Sequence, residues 1–113
     1  MRLLCTLAIA AFMLAPGLVA AGDAAAGETR FKQLCATCHG VSGKGDGPAA
    51  AALRPKPRDM SDAEWQASVD DAYLADIIKR GGAALGKSPL MTPFPALNEQ
   101  QLKDIVAFIR TLD

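Results

Sequence analysis

Histidine is almost missing from this chain: His39 is the only one in 113 residues. Cysteine occurs three times, as Cys5, Cys35 and Cys38, and aromatic residues make up 5% of the sequence, with one tryptophan and one tyrosine. Each shortage excludes something. A single histidine rules out any site built on a histidine pair. Beyond residue 21 the two cysteines and His39 supply three donors, one short of the four that a closed structural zinc site requires. Positive charge is not in excess either. Without Arg2 the chain carries eleven basic and twelve acidic residues, so it has nothing like the strongly basic face of a nucleic-acid binder. Sustained two-residue alternation, internal repeats and low-complexity linkers are all absent, which removes the half-buried strand and the repeat array as organising patterns.

What is there begins with an apolar leader. Met1 and Arg2 give one positive charge, residues 3–19 are almost wholly apolar, and Pro16-Gly17 interrupts the run before Val19-Ala20-Ala21. This is the pattern of a secretory signal peptide with its cut after Ala21. Residues 1–21 are therefore expected to be removed, Cys5 with them, and residues 22–113 to form one small domain. Membrane attachment would follow only from an uncleaved leader.

Four helices are expected, and the domain reads as all-α. The first starts from Asp23 as N-cap and runs to Cys35, with Gly27 and Phe31 four residues apart on one face. The second starts from a Ser61-to-Glu64 capping box, with Met60 and Trp65 as its hydrophobic staple. The third starts at Ser68, carries Leu74, Ile77 and Ile78, and ends at Lys79-Arg80-Gly81-Gly82. The fourth is capped by Asn98 with Gln101 and carries Leu102, Ile105, Val106, Ile109 and Leu112. Residues 40–60 and 81–97 remain irregular. Loops that long are uncommon in a compact domain unless they bind something, and a domain of about 90 residues with so much loop has a thin core of its own. A bound cofactor would complete it.

Residues 35–39 read C-A-T-C-H. A redox dithiol of the thioredoxin kind would follow a strand and open a helix, whereas this motif closes a helix and runs into glycine. A plain disulfide is compatible with export. The glycines at 40, 43, 45 and 47 lack the ending and flanking elements of a phosphate loop and suit a tight turn. The haem reading meets every constraint: Cys35 and Cys38 on one turn can bond the two vinyl groups of a porphyrin edge, and His39 can reach the iron. With no second histidine, the other axial ligand is sought among the methionines, which raise the reduction potential. Met1 and Met13 fall in the leader. Met60 has a packing role beside Trp65. Met91 lies in Ser88-Pro89-Leu90-Met91-Thr92-Pro93-Phe94-Pro95, which its prolines keep extended, and is the preferred ligand.

Taken together, G-x-x-x-F at Gly27 and Phe31, the C-x-x-C-H-G at 35–40, G-x-G-D-G-P at 43–48, P-K-P-R-D at 55–59, S-P-L-M at 88–91 and the closing I-V-A-F-I-R resemble the class I c-type cytochromes with one haem. The resemblance covers essentially all of residues 22–113. It implies a small helical domain wrapped around one covalently attached haem c, with the first and last helices crossing at Gly27, Phe31 and Phe108. It also implies that the carbonyl of Pro48 accepts the second N–H of His39, and that Lys56 and Arg58 run near the haem propionates. The function implied is that of a soluble, monomeric periplasmic electron carrier, not an enzyme, which exchanges electrons with protein donors and acceptors and takes no small-molecule substrate or nucleic acid. Lys44 and Lys87 are candidate contacts for those partners. Two alternatives stand beside it: a cytochrome subunit of a larger redox enzyme, and a gas sensor or peroxidase with a labile Met91.

Overall fold

The computed structural model describes Ala11 and residues 20–113. Apart from Ala11, Ala20 and Ala21, the expected signal peptide lies outside the described residues. Among the described residues the fold is all-helical, and no helix is long and apolar enough to cross a membrane.

Among the described residues five α-helices form rather than four. Helix α1, Ala24–Leu34, is capped by the Asp23 carboxylate, which accepts from the N–H groups of Ala25 and Ala26. Helix α2, Ala36–His39, is a separate turn that the sequence pattern did not reveal. Cys35, with φ −119° and ψ −30°, breaks it from α1, and Gly40 ends it. Nothing in side-chain periodicity marks a break confined to one residue's φ.

Helix α3, Ala63–Ser68, and helix α4, Asp71–Arg80, both start later than expected. The Ser61 hydroxyl is already spent on the Asp59 carboxylate at 2.6 Å, so Asp62 caps α3 through the Trp65 N–H at 2.9 Å. Ser68 closes α3 instead of opening α4, its hydroxyl donating to the Trp65 carbonyl at 2.7 Å. Val69 is extended, and Asp70 takes the cap of α4 through the Tyr73 N–H at 2.7 Å. In both places a carboxylate, the stronger acceptor at a helix N-terminus, displaces a hydroxyl.

Helix α5, Glu99–Ile109, has the expected capping box of Asn98 and Gln101 and buries Leu102, Ile105, Val106, Phe108 and Ile109. It crosses α1 at backbone contact. A Cβ on Gly27 would collide with the Asp104 carbonyl, so only glycine permits this approach. Phe31 and Phe108 meet there with ring centroids 5.1 Å apart and planes inclined by 58°, within the range of a favourable tilted pair. Asp104 is the buried acid of the crossing: its Oδ1 accepts from the Asp23 N–H at 2.8 Å and from Gln100 at 2.9 Å.

The two long loops each hold one 3₁₀ turn, Ala50–Ala52 and Ala83–Leu85. The first loop folds back under α2, with Gly45 N–H donating to the His39 carbonyl at 2.8 Å and Met60 N–H to the Gly43 carbonyl at 2.7 Å. The second closes on itself through Gly82 N–H to the Met91 carbonyl at 2.9 Å.

Candidate functional site

Between α2, the two loops and the α3–α4 corner lies a cavity of about 700 Å³, within the roughly 300–1,000 Å³ typical of cofactor sites. The end of α1 and α2 contribute Phe31, Leu34, Cys35, Cys38 and His39 to its wall. The second loop contributes Leu90, Met91 and Phe94, and Leu74, Ile77 and Ile78 of α4 complete an apolar interior. Four of the five sequence-predicted site residues, Cys35, Cys38, His39 and Met91, thus line one space although Met91 is remote in sequence. Pro48, the fifth, is exposed and not on the wall.

The turn of α2 sets the three residues of the motif side by side. The Cys35 carbonyl accepts from both the Cys38 N–H at 3.2 Å and the His39 N–H at 2.9 Å. Cys35 and Cys38 are free thiols. Burial, reinforced by the neighbouring Cys38, pushes the Cys35 thiol up to about 11, so at neutral pH it is a protonated, inert thiol rather than the activated thiolate of a redox dithiol. No group of three or more His, Cys, Asp or Glu side chains among the described residues is arranged to hold a metal ion by itself.

His39 packs against Phe31 with ring centroids 6.4 Å apart. Its Nδ1 is buried without a hydrogen-bond partner, which leaves Nε2 as the nitrogen that can face the cavity. Burial lowers its pKa below the ordinary imidazole value; the Arg58 backbone opposes this weakly without forming a bond of standard geometry. The ring is therefore neutral, the form that binds metal. The segment of Pro57 and Arg58 crosses Gly45, where a Cβ would strike the Pro57 carbonyl.

Both methionines line the cavity but differ in setting. Met60 is 5% exposed, belongs to the core, and ends with its methyl group 3.6 Å from a Cβ position on Gly43, in the loop that follows His39. Met91 lines the cavity from the second loop, its backbone carbonyl accepting from the Gly82 N–H at 2.9 Å and its N–H donating to the Ser88 carbonyl at 3.3 Å. Of the basic residues, Lys56, Arg58 and Lys87 line the cavity, while Lys44 lies away from it and donates to Ser61 at 3.0 Å. The Arg58 guanidinium stands 5.9 Å from the centre of the Trp65 ring. Sequence reasoning gave Arg110 no role beyond the end of the I-V-A-F-I-R run, because its contacts follow from the fold.

An apolar slot lined by paired thiols, a neutral imidazole and thioethers fits a covalently held haem. The family model for cytochrome c matches residues 24–113. The chain belongs to the cytochrome c family. Among relatives, cytochrome c-554(547) of Halothiobacillus neapolitanus is 37% identical over 95 residues, spanning 81% of this chain and 99% of its own. Cytochrome c2 of Rhodopseudomonas palustris is 34% identical, spanning 98% of this chain and 97% of its own. Of solved structures, the c-type cytochrome KustC0563 superposes with a TM-score of 0.63 at 31% identity, over 77% of this chain and 96% of that one. A chain of the reducing HAO-like protein complex of Kuenenia stuttgartiensis shares the fold, with a TM-score of 0.65 at 23% identity over 44% of its length. As a member of this family the protein is an electron-carrying haem protein with covalently attached haem c, and it works with redox partners.

Proposed function

We propose that this cytochrome is a soluble electron carrier of the periplasm, exported by residues 1–21, with its haem held by Cys35, Cys38, His39 and Met91. The observation that carries this reading is the convergence of those four side chains on one apolar cavity. Bound there, haem supplies a one-electron Fe(II)/Fe(III) couple. Cys35 and Cys38 would carry the thioether links, which fix the ring edge against α2. His39 would give one axial nitrogen in its neutral form, and Met91 the opposite thioether, a pairing that raises the potential. Leu74, Ile77, Ile78 and Phe94 exclude water from the interior. A dry, closely packed site responds little to a change of charge, which suits rapid exchange with a partner and offers no acid-base pair for substrate chemistry.

Met60 also lines this cavity, and has the weaker claim to the second axial position because it is already packed into the hydrophobic core. The oxidised protein should show the weak red absorption of sulfur-to-iron charge transfer. Met91→Leu should abolish that band and lower the reduction potential, while Met60→Leu should keep it. Loss in Met60→Leu with retention in Met91→Leu would reverse the assignment.

A further inference from the structure

The α3–α4 corner forms one wall of the cavity through Trp65, Ser68, Val69, Asp70 and Tyr73. It has little packing of its own: α3 is six residues long, none of them fully buried, and Val69 is extended. A side chain from the far end of the chain holds it. Arg110, just past α5, donates through Nε to Asp71 Oδ1 at 2.7 Å. Its Nη1 donates to the Gln66 carbonyl at 2.7 Å and to Gln66 Oε1 at 2.8 Å, and its Nη2 to the Val69 carbonyl at 2.6 Å. Gln66 in turn donates to the carbonyls of Met60 at 2.7 Å and Ile109 at 2.9 Å.

All three guanidinium nitrogens are thus committed to the corner, using the planar fork that distinguishes arginine from lysine. The bonds to Gln66 and Val69 are part-buried and charge-assisted, the stronger class. The Asp71 carboxylate is 71% exposed, so that ion pair adds little rigidity, but it neutralises the Arg110 charge locally.

We propose that Arg110 is a positioning residue for the haem cavity: its fork fixes the α3–α4 corner and so keeps that wall dry, which holds the reduction potential up. The inference rests on reading this cavity as the haem site. Burial and solvent access are levers on haem potential, and a wetter wall favours the more highly charged ferric state. Losing the positive charge of Arg110 would shift the potential the same way, so lysine is the informative substitution. It keeps the charge and cannot reproduce the three-nitrogen fork.

The test uses haem-loaded Arg110→Lys, Arg110→Gln and Gln66→Ala, with the potential and local amide exchange as readouts. All three should lower the potential, and exchange at residues 69–73 should accelerate about tenfold while that of α1 stays near the parent value. Arg110→Gln combined with Gln66→Ala should lower the potential by less than the two single shifts added, as expected of one network. Should Arg110→Gln fail to accumulate with haem, the milder Arg110→Lys and Gln66→Ala carry the same comparison. An unmoved potential despite faster exchange overturns the proposal. So does a potential lowered in Arg110→Gln and fully restored in Arg110→Lys, which would make the charge alone responsible. Failure of the underlying site reading would look different: the parent protein would lack covalent haem, or Met91→Leu would leave the charge-transfer band intact.

Discussion

The crossing of α1 with α5 and the walls of the cavity are built on opposite terms. At the crossing, Gly27, Phe31, Asp104, Ile105 and Phe108 interlock directly, with no space between backbones at Gly27. In the walls, loops 40–60 and 81–97 are held by a few backbone hydrogen bonds and face a gap of about 700 Å³. The first region carries its own stabilisation. The second has apolar side chains that reach full burial only against a ligand, so its order depends on the cofactor.

The largest test of that contrast is to unhook the cofactor. Cys35→Ala together with Cys38→Ala should eliminate the haem stain that the parent retains on a denaturing gel. Amide protection in loops 40–60 and 81–97 should then be lost before that of α1 and α5. Loops that stay protected without haem would dissolve the distinction. The next test attacks the other region. Gly27→Val forces side-chain atoms into the Asp104 carbonyl and should lower the stability of the haem-loaded protein by about 3 kcal/mol, read from its denaturant midpoint, with the haem spectrum unchanged in the folded state. A loss within about 0.5 kcal/mol, ordinary for surface positions, would mean that the helices do not meet there.

A small effect should separate the wall from its outer rim. Asp59 is fully exposed, and its carboxyl is held below its ordinary 3.8 first by the Ser61 hydroxyl and then by the Ser61 backbone N–H. A depressed carboxylate stabilises the fold above its unfolded pKa and loses that contribution as the pH falls through the folded value. Asp59→Asn should therefore reduce stability slightly near pH 6, and the acid titrations of variant and parent should converge below 3.8. A gap that persists in acid would assign Asp59 a role other than its charge.

How much of this was legible beforehand follows from where each signal resides. The caps of α1 and α5, the apolar stripe of α5 and the Gly27-to-Phe31 spacing are local, and each is where the residues said. The C-x-x-C-H run is likewise local, and the proposal of Met91 rests on how few other donors exist. The starts of α3 and α4 were misplaced because Ser61 and Ser68 are acceptable caps in isolation; only the fold shows Asp59 and Trp65 engaging them. The break at Cys35 is a backbone event with no compositional mark. Arg110 enters the sequence reading only as the end of the I-V-A-F-I-R run, and its reach to Gln66 and Val69, more than 40 residues away, is a product of topology. Pro48, whose carbonyl the resemblance implies as the partner of His39, is exposed and off the cavity wall, and that role is an expectation from the resemblance alone.

The bond from the Asp23 N–H to Asp104 spans 81 positions. Closing a flexible loop of that length costs about 4 kcal/mol in chain entropy beyond a constant. Once closed, the chain is in effect a ring, and contacts made inside it, those of the two long loops included, carry a smaller entropic cost. Gly27 and Asp104, which touch no part of the cavity, thus sit at the closure that shortens every loop within it.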